Sequence, residues 1–174
     1  MLHIYYGKGK GKTSAALGLI LRAAGRKRKI ILFQFLKPKG LFSGEYASLK
    51  KFPNVKQVRF DQKHPIFMVS DKEKQICKIK THIRKSMSEL SKIIRKKSFD
   101  ILVCDEMLNL IDCGFIKEKD IIAVFNKIKD KKEVILTGRK KPKKLTAIAD
   151  YVTEFRLIKH PFQRGILARK NIEY

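Results

Sequence analysis

The chain has 174 residues, 44% of them hydrophobic and 33% charged, a balance typical of a folded domain rather than a disordered segment. No apolar run approaches the length of a membrane span, and the first residues lack the pattern of a signal peptide. The net charge of +25 would suit a polyanionic partner, but the basic residues are scattered and no aromatic stacking motif accompanies them. A solvated basic surface is therefore favoured over nucleic-acid binding.

The three cysteines, Cys77, Cys104 and Cys113, are far apart and show no paired spacing. An odd and sparse set argues against a disulfide framework and suits the reducing cytoplasm. We expect each of them to fill space in the core rather than to carry chemistry.

A phosphate-binding loop is predicted at the start of the chain. The apolar run Leu2–Tyr6 reads as a buried strand, residues 7–14 have the sequence GKGKGKTS, and residues 15–24 read as a helix. Glycines let successive backbone N–H groups converge on an anion, and the helix N-terminus adds partial positive charge. Lys12 can reach the outer phosphates, and Thr13 can place a hydroxyl on Mg²⁺.

The loop departs from the usual spacing G-x-x-x-x-G-K-[ST], because Tyr6 stands where the first glycine is expected. The glycine interval is one residue shorter, and Lys8 and Lys10 accompany Lys12. The alternative is a merely solvated turn rich in glycine and lysine. The flanking strand and helix favour the phosphate-binding interpretation.

The middle of the chain supplies further predicted elements. Residues 30–36 are apolar on both faces, as a parallel strand requires, and residues 55–60 form a shorter strand. A capping box at Ser70 and Glu73 opens a long helix. Its apolar stripe, which we expect to face the core, consists of Ile76, Ile79, Ile83, Met87, Leu90 and Ile94.

A second functional landmark is the apolar strand over residues 99–106, which ends in Asp105 and Glu106. A carboxylate at the tip of a strand beside a phosphate loop can hold Mg²⁺ or its water shell. Many strands end in such a pair, so a solvated strand end is the alternative. The upstream loop makes the metal-binding interpretation the more specific one.

The last third continues the alternation of helices and strands. We predict helices over residues 117–129 and 145–150, and strands over residues 133–137, 151–158 and 165–168. Arg139 lies in the turn that follows the strand over residues 133–137, at the same sheet edge as Lys12 and Glu106. It is expected either to contact phosphate or to be an ordinary surface arginine. No linker divides the chain, so residues 1–174 are expected to form one domain.

These elements predict a three-layer α/β domain with a mostly parallel sheet, which binds a nucleoside triphosphate with Mg²⁺ at the carboxyl ends of its strands. Spacing alone does not name the reaction. The carboxylate pair would serve a hydrolase equally well.

The chain resembles the corrinoid adenosyltransferases of the P-loop class, also called cob(I)alamin adenosyltransferases, along nearly its full length. The shortened phosphate loop is itself a mark of that family. The matching motifs are GKGKGKTSAALGLILRAAG at residues 7–25, QFLK at 34–37, GE at 44–45, LVCDE at 102–106, LTGR at 136–139, ADYVTE at 149–154, and KHPFQRGILARKNIEY at the end.

The resemblance implies a RecA-like P-loop NTPase fold, a cytoplasmic homodimer, and a flavoprotein as electron donor. The family transfers the 5′-deoxyadenosyl group of ATP, with Mg²⁺ or Mn²⁺, to the Co(I) of cob(I)alamin or a cobinamide, and releases triphosphate. Co(I) attacks the ribose C5′, so no protein nucleophile is required. A nucleic-acid-binding ATPase is the alternative that the charge of +25 motivates.

The resemblance also implies, by motif position, which residues form the site. Lys10 and Lys12 would stabilise the leaving triphosphate, while Thr13, Asp105 and Glu106 would serve the metal. The corrinoid would meet Phe67, Met68, Gln34 and Glu45. The full set expected to bind nucleotide is Gly7, Lys8, Gly9, Lys10, Gly11, Lys12, Thr13, Ser14, Arg22 and Arg139.

This sequence departs from the family pattern in three places. It has no tryptophan where some members pair one with phenylalanine to displace an axial cobalt ligand, so Phe67 is the nearest aromatic. Lys8 replaces a frequent asparagine, and Asn171 stands where glycine is common.

Overall fold

The computed structural model describes residues 1–37, 43–59, 72–167, 169 and 172, with only the backbone described at residues 72–75. Among these residues, no helix is both long and apolar enough to cross a bilayer. The predicted helix cap at Ser70 and the expected corrinoid contacts Phe67 and Met68 lie outside the described residues.

The predicted α/β fold is confirmed, and every paired strand of the sheet is parallel. The strand order is β3-β2-β4-β5-β1-β6. All five residues of β2 are buried, as its continuous apolar run predicts. The strands are Leu2–Tyr6 (β1), Ile30–Gln34 (β2), Val55–Arg59 (β3), Ile101–Asp105 (β4), Glu133–Gly138 (β5) and Tyr151–Glu154 (β6).

Helices cover both faces of the sheet, which gives the predicted three layers. One core cluster packs α1 and Leu49 of α2 against one face, and the other packs residues of α3 to α6 against the opposite face. The helices are Lys12–Gly25 (α1), Gly44–Leu49 (α2), Lys72–Lys96 (α3), Met107–Asp112 (α4), Glu118–Phe125 (α5) and Lys143–Ile148 (α6). A short 3-10 helix follows at Pro161–Arg164.

The parallel sheet brings the ends of its strands together. The segments that follow β1, β2, β4 and β5 all leave from the same edge, and ligands of open α/β sheets bind at that edge. The arrangement therefore places the glycine-rich loop, the carboxylate pair and Arg139 at one end of the molecule.

The predicted last strand is wrong, because residues 165–167 pair with no strand. His160 caps the 3-10 helix before them, and Gly165 ends it with a φ of +75°. Four elements are shorter than predicted. β2 stops at Gln34 rather than at residue 36, and β4 spans Ile101–Asp105 rather than residues 99–106. β6 stops at Glu154 rather than at residue 158, and α5 ends at Phe125 rather than at residue 129.

Two of the three cysteines do not fill the core, contrary to expectation. Cys104 is buried in β4, whereas Cys77 and Cys113 are exposed. The apolar stripe of α3 contacts the core from Ile79 onward, while Ile76 is 37% exposed. Cys77 lies beside Ile76 on the part of the helix that extends beyond this core face.

Candidate functional site

A cavity of about 430 Å³ opens at the carboxyl edge of the sheet. The glycine-rich loop forms one wall, and side chains that follow β2, β4 and β5 form the others. Its lining residues are Lys8, Gly9, Lys10, Gly11, Lys12, Thr13, Ser14, Leu17, Lys37, Glu45, Glu106, Arg139, His160 and Ile172. Positive side chains dominate this surface, which suits a polyanionic ligand.

The loop is held against the backbone of neighbouring segments. The N–H of Gly7 donates to the carbonyl of Arg139 at 3.0 Å, and the N–H of Gly9 donates to the carbonyl of Phe155 at 2.7 Å. A Cβ on Gly7 would lie 2.3 Å from the Phe155 carbonyl oxygen, and the φ of Gly7 is +124°. The close approach and the positive φ both require glycine here.

Lys12 folds back over the loop at the start of α1. Its Nζ donates to the carbonyls of Gly7 and Gly9, both at 2.7 Å. Burial lowers the pKa of Lys12, and the negative charge of Glu106 partly offsets that effect. The ammonium group is thus centred over the loop, where phosphate oxygens can replace the two carbonyl partners.

Asp105 is the fixed carboxylate of the site. Its Oδ1 accepts hydrogen bonds from the hydroxyls of Thr13 at 2.9 Å and Thr137 at 2.7 Å. Its Oδ2 lies 3.1 Å from Lys37 Nζ and forms an ion pair with it. The geometry of this pair is not that of a hydrogen bond, and among the described residues no donor makes a hydrogen bond to this buried oxygen. The carboxylate therefore retains an oxygen that can take a cation.

Glu106 follows with a φ of +63°, rare for a residue that carries a side chain. The hydroxyl of Thr137 accepts its N–H at 2.9 Å, and Asn109 Nδ2 donates to its carboxylate. Asn109 Oδ1 also accepts the N–H of Arg139 at 2.8 Å. Asn109 thereby joins the end of β4 to the end of β5 and fixes Glu106 relative to Arg139.

Burial raises the pKa of Glu106, and the neighbouring charge of Asp105 adds to the increase, while Lys37, Lys12 and Arg139 partly oppose it. Because the pKa of Glu106 is higher in the folded protein than in the unfolded chain, its protonation stabilises the folded state. This contribution is complete at a pH below the unfolded-state pKa, and it is lost as the pH rises through the folded-state pKa. The ionised Glu106 is therefore a cost to stability near neutral pH.

Replacing Glu106 with glutamine should raise the free energy of unfolding of the ligand-free protein by about 1 kcal/mol at pH 7.5. The amide is neutral and keeps an oxygen for Asn109. The gain should shrink as pH falls toward the ordinary pKa of glutamate. Urea unfolding at the two pH values measures it. Glu89→Gln is the control, because the Glu89 side chain on α3 is half-exposed and its ion pair with Lys92 is long at 4.0 Å, and it should change stability by less than about 0.5 kcal/mol.

The structure brings most of the predicted site residues to this cavity, including Glu45. Gln34 is buried at the end of β2, where its Oε1 accepts from Arg59 Nε at 2.7 Å, and it is not among the lining residues. Arg22 is not brought to the cavity either. It lies in the last turn of α1, about 15 Å along the helix from Lys12, beside a groove at the opposite sheet edge.

Sequence reasoning missed Lys37, Thr137 and Asn109 as site residues. Lys37 and Thr137 stand at the carboxyl ends of two predicted strands, so their positions carried a signal. Nothing in the sequence indicated Asn109 as a site residue, because it lies in a helix of only six residues whose sequence shows no helical periodicity.

The residues present fit a divalent metal ion. The Thr13 hydroxyl donates its proton to Asp105 and so keeps its lone pairs available for a metal. Asp105 and Glu106 add carboxylate oxygens, which are the ligands that Mg²⁺ prefers.

The parallel sheet, the glycine-rich loop and the carboxylates at the next strand ends define a P-loop nucleotide-binding protein of the α/β class. The model of the family "ATP:corrinoid adenosyltransferase BtuR/CobO/CobP" matches residues 1–174, and the chain belongs to this family.

Three curated relatives are named corrinoid adenosyltransferases. The Pseudomonas aeruginosa protein is 27% identical over all of this chain and 83% of its own length. The Sinorhizobium protein is 30% identical over 97% of this chain and 77% of its own length. The Escherichia coli K12 protein is 25% identical over 98% of this chain and 84% of its own length. The solved structure of domain III of Thermotoga maritima DnaA aligns with 88% of this chain and with 53% of its own chain. The TM-score is 0.42 and the sequence identity is 18%, so this similarity supports no argument.

Proposed function

We propose that this protein transfers the 5′-deoxyadenosyl group of ATP to the cobalt of a reduced corrinoid, either cobalamin or a cobinamide. Two observations support the proposal. The family model covers the whole chain, and the cavity combines a lysine-rich phosphate loop with the carboxylate of Glu106, which follows the buried carboxylate of Asp105. The second observation carries the chemistry, because it supplies positive charge where a triphosphate would leave.

The reaction balances without a nucleophile from the protein. Co(I) supplies an electron pair to the ribose C5′, and a cobalt–carbon bond forms as the bond from C5′ to the triphosphate oxygen breaks. The cobalt is formally oxidised to Co(III), and the bonding pair leaves with the triphosphate. The protein must therefore hold the nucleotide with C5′ exposed and stabilise the negative charge of the leaving group.

The loop and its cations perform that stabilisation. The N–H of Gly9 is taken by Phe155, so the backbone N–H groups of residues 10–14 and the N-terminus of α1 would face the phosphates. Lys12 exchanges its two carbonyl partners for phosphate oxygens, and Lys10 and Arg139 supply further positive charge from the loop and from the end of β5. These interactions strengthen as charge develops on the leaving oxygen, which is the condition for lowering the barrier.

A divalent ion, Mg²⁺ or Mn²⁺, would be held by Thr13, Asp105 and Glu106, and it would neutralise phosphate charge in the bound nucleotide. The chain prepares this position in advance. Asp105 is fixed by hydrogen bonds from Thr13 and Thr137, and Glu106 is fixed by Asn109.

The residues that would bind the corrinoid remain predictions. Glu45 lines the cavity, whereas Gln34 lies behind it and Phe67 and Met68 are outside the described residues. The flavoprotein electron donor, the cytoplasmic location and a role for Arg22 at the nucleotide also stay predictions from the family resemblance.

A homodimer belongs to the same proposal. All four residues of the edge strand β6 are exposed, and Leu157, Ile158 and Phe162 after it are exposed large apolar side chains. An exposed apolar edge favours a protein partner, and a second copy of the chain is the one that the family resemblance implies. Sedimentation equilibrium would decide between a dimer and a monomer.

Anaerobic spectroscopy tests the proposed reaction. Chemically reduced cobalamin mixed with the protein, ATP and Mg²⁺ should give the spectrum of an alkyl-cobalt product, and omission of any one component should prevent it. Absence of that product in the complete mixture would refute the proposal. The alternative, a nucleic-acid-binding ATPase, is not favoured by the relatives, and it predicts instead phosphate release that DNA or RNA stimulates.

A further inference from the structure

Lys37 places its ammonium group among the carboxylates of the site. The residue directly follows Leu36, whose φ of +54° turns the chain at the end of the β2 run. Its Nζ lies 3.1 Å from Asp105 Oδ2 and 3.5 Å from Glu45 Oε1. The Asp105 side chain is only 1% exposed, so this ion pair is largely shielded from water.

Lys37 and a divalent metal ion would use the same carboxylate oxygen. Asp105 Oδ1 is already committed to two hydroxyl donors, which leaves Oδ2 as its free ligand atom. An ammonium group 3.1 Å from Oδ2 repels a second cation at that oxygen.

We infer that Lys37 is a built-in counter-ion that keeps free divalent cations off Asp105 until nucleotide phosphates enter the cavity. The inference rests on the proposed metal site at Thr13, Asp105 and Glu106. It makes Lys37 a positioning residue that couples metal loading to nucleotide binding.

The nucleotide reverses the competition. A triphosphate carries more negative charge than one divalent ion neutralises, so a metal ion and Lys37 both find anionic partners once it is bound. Lys37 lines the same cavity as the phosphate loop, and its ammonium group can turn from Asp105 to the phosphates. Asp105 Oδ2 is then released to the metal.

The test measures Mn²⁺ binding by electron paramagnetic resonance, first without nucleotide and then with a non-hydrolysable ATP analogue. Without nucleotide, Lys37→Met should bind Mn²⁺ at least tenfold more tightly than the unmodified protein. Lys37→Arg, which keeps the charge, should bind Mn²⁺ as the unmodified protein does. Lys8→Met removes one charge from the same cavity without contacting Asp105, and it should give less than a threefold change.

A second readout covers the loss of stability that an unpaired Asp105 would cause. Mn²⁺ alone should raise the melting temperature of Lys37→Met by several degrees and leave that of the unmodified protein unchanged. Equal Mn²⁺ affinities for Lys37→Met and Lys8→Met without nucleotide would overturn the inference. If the unmodified protein takes up no Mn²⁺ even with the ATP analogue, the proposed metal site itself is wrong, and this inference is overturned with it.

Discussion

Replacing Lys12 with alanine is expected to lower kcat for adenosyl transfer by at least about 100-fold. Lys12 is the cation centred on the loop, with hydrogen bonds to the carbonyls of Gly7 and Gly9. Its charge should interact most strongly with the triphosphate as the bond to C5′ breaks. The loss should therefore appear in kcat, and not only as a higher KM for ATP.

Lys8→Ala provides the matched control for this prediction. Lys8 lies in the same loop and lines the same cavity, but it is exposed, so the loss of its charge is screened by water. We expect less than a tenfold decrease in kcat. Equal effects of the two substitutions would mean that general positive charge matters and the position of Lys12 does not. Circular dichroism checks that both variants fold.

Replacing Gly7 with alanine should abolish nucleotide binding. A methyl group here would lie 2.3 Å from the Phe155 carbonyl oxygen, and it would sit on backbone with a φ of +124°. The backbone strain alone costs about 1–3 kcal/mol, and the steric overlap forces the loop away from the segment after β6. The melting temperature should fall by several degrees, and ATP should no longer raise it.

Gly18→Ala is the control for the glycine substitution. Gly18 lies within α1 with nothing near its Cβ position, so alanine should stabilise the helix by roughly 0.5–1 kcal/mol and leave the response to ATP intact. A Gly7→Ala variant that binds ATP normally would show that the loop does not depend on its close contact with Phe155.

Most of the fold could be predicted because its strands are continuous apolar runs. β1, β2, β4 and β5 were identified from such runs, and parallel pairing then placed the residues that follow them at one edge. That logic correctly grouped Lys12, Thr13, Glu106 and Arg139. The strand predicted at residues 165–168 failed because Ile166 and Leu167 have no core to face, which short apolar runs do not reveal.

The contacts within the site could not be read from the sequence. The ion pair of Lys37 with Asp105 exists because β2 and β4 are neighbours in the sheet, although their first residues, Ile30 and Ile101, are 71 positions apart and β3 lies between the two strands in the chain. The role of Asn109 depends on how α4 packs beside the end of β5, which the sequence does not show. The position of Arg22 shows the converse case, since motif order placed it near the nucleotide and the length of α1 carries it to the other sheet edge.

Product analysis tests the central claim most directly, namely that the loop holds an intact triphosphate as the leaving group. The protein is incubated anaerobically with ATP, Mg²⁺ and cob(I)alamin, and its phosphorus-containing products are separated. We predict one triphosphate released for each corrinoid adenosylated, and no turnover without the corrinoid. Release of ADP and orthophosphate in the absence of corrinoid would contradict the account, because it would mean that the terminal phosphoryl group, and not C5′, is the reacting centre.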